Sequence, residues 1–81
     1  MTISELANKL KEMYWFKGAN KGAMVILFGV IYGETMKEEG IKYIDVVRVA
    51  GLSDAYEKEI YKGAKLSEYV EIKDEYKDLF E

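Results

Sequence analysis

VVRVAGLSDAYEKEI, residues 46–60, holds the bend around which the rest of the chain must be arranged. Ala50, Gly51 and Leu52 place a small residue and a glycine between two apolar-patterned segments, a combination that lets two helices cross at about 90–120°. Upstream, the pattern predicts a short helix from about Tyr43 to Ala50, with Ile44, Val46 and Val47 inward and Gly51 as its stop. Downstream, Ser53 is a capping residue, Tyr56 and Ile60 lie one turn apart above Leu52, and Gly63 is expected to end the second helix. The elbow departs from the usual helix-turn-helix pattern at two positions. Val47 stands four before the glycine, where a small residue is usual, and Glu57 stands six after it, where an aliphatic one is usual. Tyr56 is the expected substitute in the buried place, which would rotate the second helix by a fraction of a turn.

Working outward, Thr2 followed by Glu5 is a capping box, so a first helix starts there. Ile3, Leu6, Leu10, Met13 and Tyr14 repeat at three- and four-residue spacing and form its apolar stripe, and Trp15 and Phe16 extend that surface. GANKG, residues 18–22, breaks the helix, and Asn20 can cap the next one. AMVILFGVIYG, residues 23–33, is apolar nearly all round, and periodicity alone does not separate helix from buried strand. Its continuation into ETMKEEG without a turn signal, with Gly40 then Ile41 as a helix stop, selects a helix. Gly29 and Gly33 share a face of it and would let another helix approach closely, which must offset about 1 kcal/mol of lost helix propensity each. Beyond Gly63, Val70 and Ile72 alternate with charges, while Tyr76, Leu79 and Phe80 sit at helical spacing, so a short terminal helix is expected. No pair of strand signals with a tight turn predicts a wing. The expected fold is all-α: one domain, residues 1–81, a compact bundle of four to five short helices containing a helix-turn-helix-like pair.

Eighty-one residues supply one core and no second one. A chain with 49% hydrophobic residues, and with a third of its residues charged in mixed sign, is globular rather than disordered. It has no cysteine and no histidine. That excludes a disulfide scaffold and a zinc site, and it removes both the commonest general base and a thiolate nucleophile, so no enzyme, metal or cofactor is expected. Ser4, Ser53 and Ser67 have no imidazole to activate them, and GANKG lacks the length and ending of a phosphate-binding loop. The first ten residues carry Glu5 and Lys9 and do not read as a signal peptide, while residues 23–33 are about half the length a bilayer needs. A cytoplasmic protein without a membrane partner is the expectation. Lysine and glutamate are plentiful while glutamine and cysteine are missing, a composition that heat-adapted proteins show.

The order LFGVIYG at 27–33, then DVVRVAGLSDAYEKEIYKGAKLSEYV at 45–70, resembles a family of small helix-turn-helix-like domains. The residues that carry the resemblance are Tyr56, Glu59, Ile60, Lys62, Gly63, Lys65, Leu66, Tyr69 and Val70, and it covers roughly residues 23–70. The resemblance implies an all-helical fold. It implies little about activity: only an accessory piece of a larger restriction or defence protein is suggested by it, whereas a DNA-binding module or regulator is read from the bend and the lysine edge.

Charge limits how far the DNA reading extends. Residues 1–65 hold ten basic and nine acidic side chains, whereas residues 66–81 hold two and six. The body is near neutral and the acidity is terminal, so no strong electrostatic footprint for phosphates is present. Lys58, Lys62 and Lys65 are spaced by four and three and form one basic edge, with Arg48 or Lys42 nearby, and Lys17 and Lys21 form a second basic spot. For double-stranded DNA, the expected contacts are Ser53, Lys58 and Tyr61 near base edges or phosphates, Lys62 and Lys65 on phosphates, Arg48 beside them, and Glu57 on a cytosine amino group. The plainer alternative is a solvated helix face with pairs such as Asp54 with Lys58. A different class of function stays open beside these: a protein-interaction domain, most simply a homodimer or a contact with a larger protein, built on Met13, Tyr14, Trp15 and Phe16 together with Leu79 and Phe80.

Overall fold

A computed structural model describes the backbone of residues 1–80 and the side chains of residues 1–77. Five helices are found among the described residues: α1 Ile3–Tyr14, α2 Lys21–Glu39, α3 Tyr43–Val49, α4 Tyr56–Leu66 and α5 Asp74–Phe80. The chain is all-helical, as the periodicity predicts, and no strand or wing occurs among the described residues.

Local chemistry sets most boundaries. At α1 the Thr2 hydroxyl accepts from Glu5 N–H at 3.1 Å, and the Glu5 carboxylate accepts from Thr2 N–H at 2.9 Å, the reciprocal pair of a capping box. Asn20 opens α2 by accepting from Ala23 N–H at 2.9 Å. Gly40 ends it with φ +68°, where a side chain would strain the backbone, and Ile41 N–H reaches back to the Met36 carbonyl at 2.9 Å. The elbow closes in the same way. Gly51 takes φ +75°, Gly51 N–H donates to the Arg48 carbonyl at 3.0 Å, and Leu52 N–H donates to the Val47 carbonyl at 3.1 Å. These two bonds form a Schellman motif, so the bend read from Ala50-Gly51-Leu52 is a helix stop followed by a change of direction. Ser53 then accepts from Ala55 N–H at 3.3 Å, and a turn of Tyr56 and Glu57 N–H groups on the Ser53 and Asp54 carbonyls leads into α4.

α2 is central. Met24, Val25, Phe28, Gly29, Tyr32, Gly33 and Met36 form its buried face, packed against α1 on one side and most extensively against α4 on another, while α3 bridges α1 and α4. Leu6, Leu10 and Met13 from α1, Val46 and Val47 from α3 and Ile60 from α4 are fully buried in the same core as Phe28. The predicted apolar stripes therefore meet in one core.

The α2–α4 contact is made by backbone. A Cβ added at Gly33 would lie 2.6 Å from the Ala64 Cβ, and one at Gly29 would lie 2.9 Å from the Gly63 Cα. Gly29 and Gly33 thus serve the close approach expected of them. Gly63 does something else than expected. It does not end its helix, which continues to Leu66; it is buried against α2, where a side chain would strike Gly29 and the Ile26 carbonyl.

Candidate nucleic-acid interface

α4 buries Ile60 and Gly63 and half-buries Tyr56, Glu59 and Ala64, which leaves the polar side chains of Glu57, Lys58, Tyr61, Lys62 and Lys65 exposed on the opposite side, with Leu66 exposed at the end of the helix. Spacings of one, three and four make these a continuous lane. Tyr56 fixes the rotation of the helix. Its hydroxyl lies 3.0 Å from that of Tyr14, and the two rings meet edge to face with centroids 5.3 Å apart. The hydrogen bond to Tyr14, followed by burial, holds the Tyr56 hydroxyl above its ordinary pKa. Tyr56 therefore points inward and Glu57 outward, the rotation that the exchange of roles at these positions implies.

The predicted contact residues differ in how free they are. Lys62 sits 3.2 Å from Glu59 on its own helix, and the Lys65 ammonium lies 5.6 Å from the centre of the Tyr61 ring. Lys58 and Lys65 make no ion pair among the described residues. Arg48 is engaged. Its guanidinium donates to both Asp54 oxygens, at 3.3 and 3.1 Å, and so bridges α3 to the turn before α4. Asp54 therefore pairs with Arg48 rather than with Lys58, because the Schellman turn brings residues six apart into contact. The hydrogen bond to Arg48 holds the Asp54 carboxyl below its ordinary range, and the same bond raises Arg48. Both groups are largely solvated, so the pair orients side chains more than it stabilises the fold.

The sign of that shift fixes a measurement. A carboxyl with a lowered folded-state pKa adds stability above its unfolded value and loses it as the pH falls through the folded one. Replacing Arg48 with glutamine should therefore move the Asp54 titration midpoint, followed by carboxyl carbon chemical shift, upward toward the ordinary carboxylate value. An unchanged midpoint would show that the pair does not persist in solution.

Two cationic side chains join the lane from other elements. A cleft of about 210 Å³ beside α4 is lined by Lys37, Tyr43, Tyr61 and Lys65, with Glu34 and Glu68 on its acidic side. Lys42 lies next to Lys37, Tyr43 and Glu57 along the start of α3. Lys42 was expected near the basic edge, but Lys37 was not. A signal for it existed: Lys37 continues the Gly29–Gly33 row by one more turn, so a helix crossing at those glycines would run past it. Acidic groups alternate with these cations, and the surface is mixed in sign.

Met13, expected at a contact surface, is only 1% exposed and belongs to the core. Tyr14 is half-buried against Tyr56, and Trp15 and Phe16 are exposed at 65% and 44%. Lys21 covers the Trp15 ring, its ammonium 4.7 Å from the centroid. The side chains of Leu79 and Phe80, also expected there, lie outside the described residues. Among the described residues no group of carboxylates is arranged to hold a metal ion, and no helix is long and apolar enough to cross a membrane.

The sequence profile of the HTH-like domain family matches residues 2–73, which take in α1 to α4 and the segment after them. The chain belongs to this family. No curated protein and no solved structure matches it.

Proposed function

We propose that this member of the HTH-like domain family is a non-catalytic module that docks on duplex DNA through the outward face of α4. The observation that carries the reading is that Glu57, Lys58, Tyr61, Lys62 and Lys65 share one exposed lane, while the opposite side of α4 is fixed to α2 through glycines. A rigid helix with a free polar face fits a major groove about 12 Å wide. Ser53 in the turn before that helix and Lys58 in its first turn stand where base edges are read, with Lys65 near its end and Lys37 and Lys42 beside it as phosphate contacts. Arg48 can join them only by leaving Asp54.

The mixed charge sets the expected strength. With about four lysines free to meet phosphates, log K should fall with log salt at a slope of about −3 to −4, and a monomer should bind with Kd on the order of 1–100 µM at low salt. Fluorescence anisotropy with a labelled mixed-sequence duplex measures both. Lys37→Gln with Lys42→Gln should weaken binding and reduce the slope by about 2, one unit per lost phosphate contact. No binding at low salt, or binding that added salt does not weaken, would remove the reading.

A further inference from the structure

We propose that the C-terminal half of α4 and the turn after it form a self-complementary surface that takes a second copy of this chain. Leu66, Tyr69 and Val70 are 43%, 81% and 49% exposed. They share one side because the Tyr69 and Val70 N–H groups both donate to the Leu66 carbonyl, at 2.8 and 3.0 Å, which carries helical spacing past the end of α4. Lys62 and Lys65 lie upstream in the same row, so positions 62, 65, 66, 69 and 70 follow at helical intervals, ammonium groups first and apolar side chains after them. Glu68 and Glu71 are both exposed at the end of this stretch, Glu68 in the cleft beside Lys65 and Glu71 next in the chain after Val70. Contiguous exposed apolar side chains of this kind mark a contact site.

The order of charge selects the partner. A surface that is basic at one end and acidic at the other is complementary to itself when reversed. A two-fold axis near Leu66 lays the Lys62 and Lys65 end of one copy against the Glu68 and Glu71 end of the other, and the symmetry repeats the contact. It also brings a lysine of each copy toward the exposed Tyr69 ring of the other, a favourable place for a cation. An acidic peptide would satisfy the lysines but face the glutamates, and a nucleic acid held by Lys65 would leave Leu66, Tyr69 and Val70 in water. A second copy suits both ends. The apolar set is small, so the association is weak, with Kd on the order of 10–100 µM.

Lys62 and Lys65 cannot meet phosphates and a second copy together, so within the DNA reading above, self-association is the state that does not bind DNA. Only that consequence rests on the DNA reading; the association is measured without nucleic acid and stands or falls by itself.

Sedimentation equilibrium of the full chain, up to about 0.5 mM, is the test. The parent chain should reach a dimer. Lys62→Glu with Lys65→Glu makes the surface wholly acidic, and Glu68→Lys with Glu71→Lys makes it wholly basic; each variant should remain monomeric alone, and an equimolar mixture should form a heterodimer. Tyr69→Ala in both members should weaken that heterodimer at least tenfold. Circular dichroism confirms that each variant is folded. A parent chain that stays monomeric, variants that dimerise alone as the parent does, or a mixture that fails to associate would each overturn the proposal.

Discussion

Replacing Gly63 with alanine should lower the thermal midpoint by about 10–20 °C, even though alanine is the better helix former by about 1 kcal/mol. Two effects oppose each other at this position, and geometry decides between them. The added methyl would lie 2.9 Å from the Gly29 Cα and nearer still to the Ile26 carbonyl oxygen. Both are backbone atoms of α2 and cannot swing aside as a side chain would, so α2 and α4 must separate. Overpacking of this kind costs about 1–3 kcal/mol, and more where no rotamer gives way. Separation also loosens Ile60, the fully buried large side chain of α4. A net loss of about 2–3 kcal/mol is expected, at about 4–8 °C per kcal/mol for a domain of this size. Gly22 is the internal control. It too is helical, but a Cβ there would meet only the Asn20 Oδ1, at 3.5 Å, an ordinary contact. Gly22→Ala should be neutral or stabilising. If Gly63→Ala melts at or above the parent temperature, the close approach of α2 and α4 is not the packing in solution.

The contrast between these glycines also shows where the sequence was legible. Gly40 and Gly51 announce themselves locally, because a helix that ends in a left-handed glycine and an apolar residue needs only a few neighbouring residues to do so. Thr2 with Glu5 and Asn20 with Ala23 are equally short-range, and they place the starts of α1 and α2 where they are found. Gly63 looks the same in a local window and was read as another stop. Its helical conformation follows instead from a partner more than thirty residues away, Gly29 on α2. The salt bridge of Asp54 was missed for a related reason: spacing along one helix points to Lys58, whereas the path of the elbow brings Arg48 closer. On α1 the apolar stripe was read correctly, but the extension past it was not uniform. Met13 completes the stripe and is buried, while Trp15 is the cap residue beyond it and turns outward. The basic lane of α4 was legible because it depends on helical periodicity alone; Lys37 was not, because its place beside the lane depends on how two helices cross.

Phe28→Ala should have the largest effect of any single truncation in this chain, lowering the midpoint by about 15–30 °C. Phe28 is fully buried at the centre of α2, and its ring packs on Tyr32 with centroids 5.0 Å apart and planes tilted by 42°. Removing a buried phenyl ring costs about 3–5 kcal/mol through lost transfer energy and the cavity left behind. A chain of this length has roughly 4–12 kcal/mol of total stability, at about 0.05–0.15 kcal/mol per residue, so the substitution removes about a quarter of it or more. Relaxation cannot recover much. The glycine row on α2 already brings α4 to backbone contact, and α4 has no room to move inward and fill the void. Phe28 belongs to the one core to which α1, α2, α3 and α4 all contribute buried side chains, so the loss is shared across it. Phe28→Leu retains part of the volume and should cost about 2 kcal/mol, at roughly 0.8 kcal/mol per methylene-sized group lost. Thermal unfolding of the three proteins gives the comparison directly. An alanine variant within a few degrees of the parent, or one no weaker than the leucine variant, would mean that the core is not centred on Phe28. The surface on α4 would then lack the rigid support that presenting a helix to DNA requires.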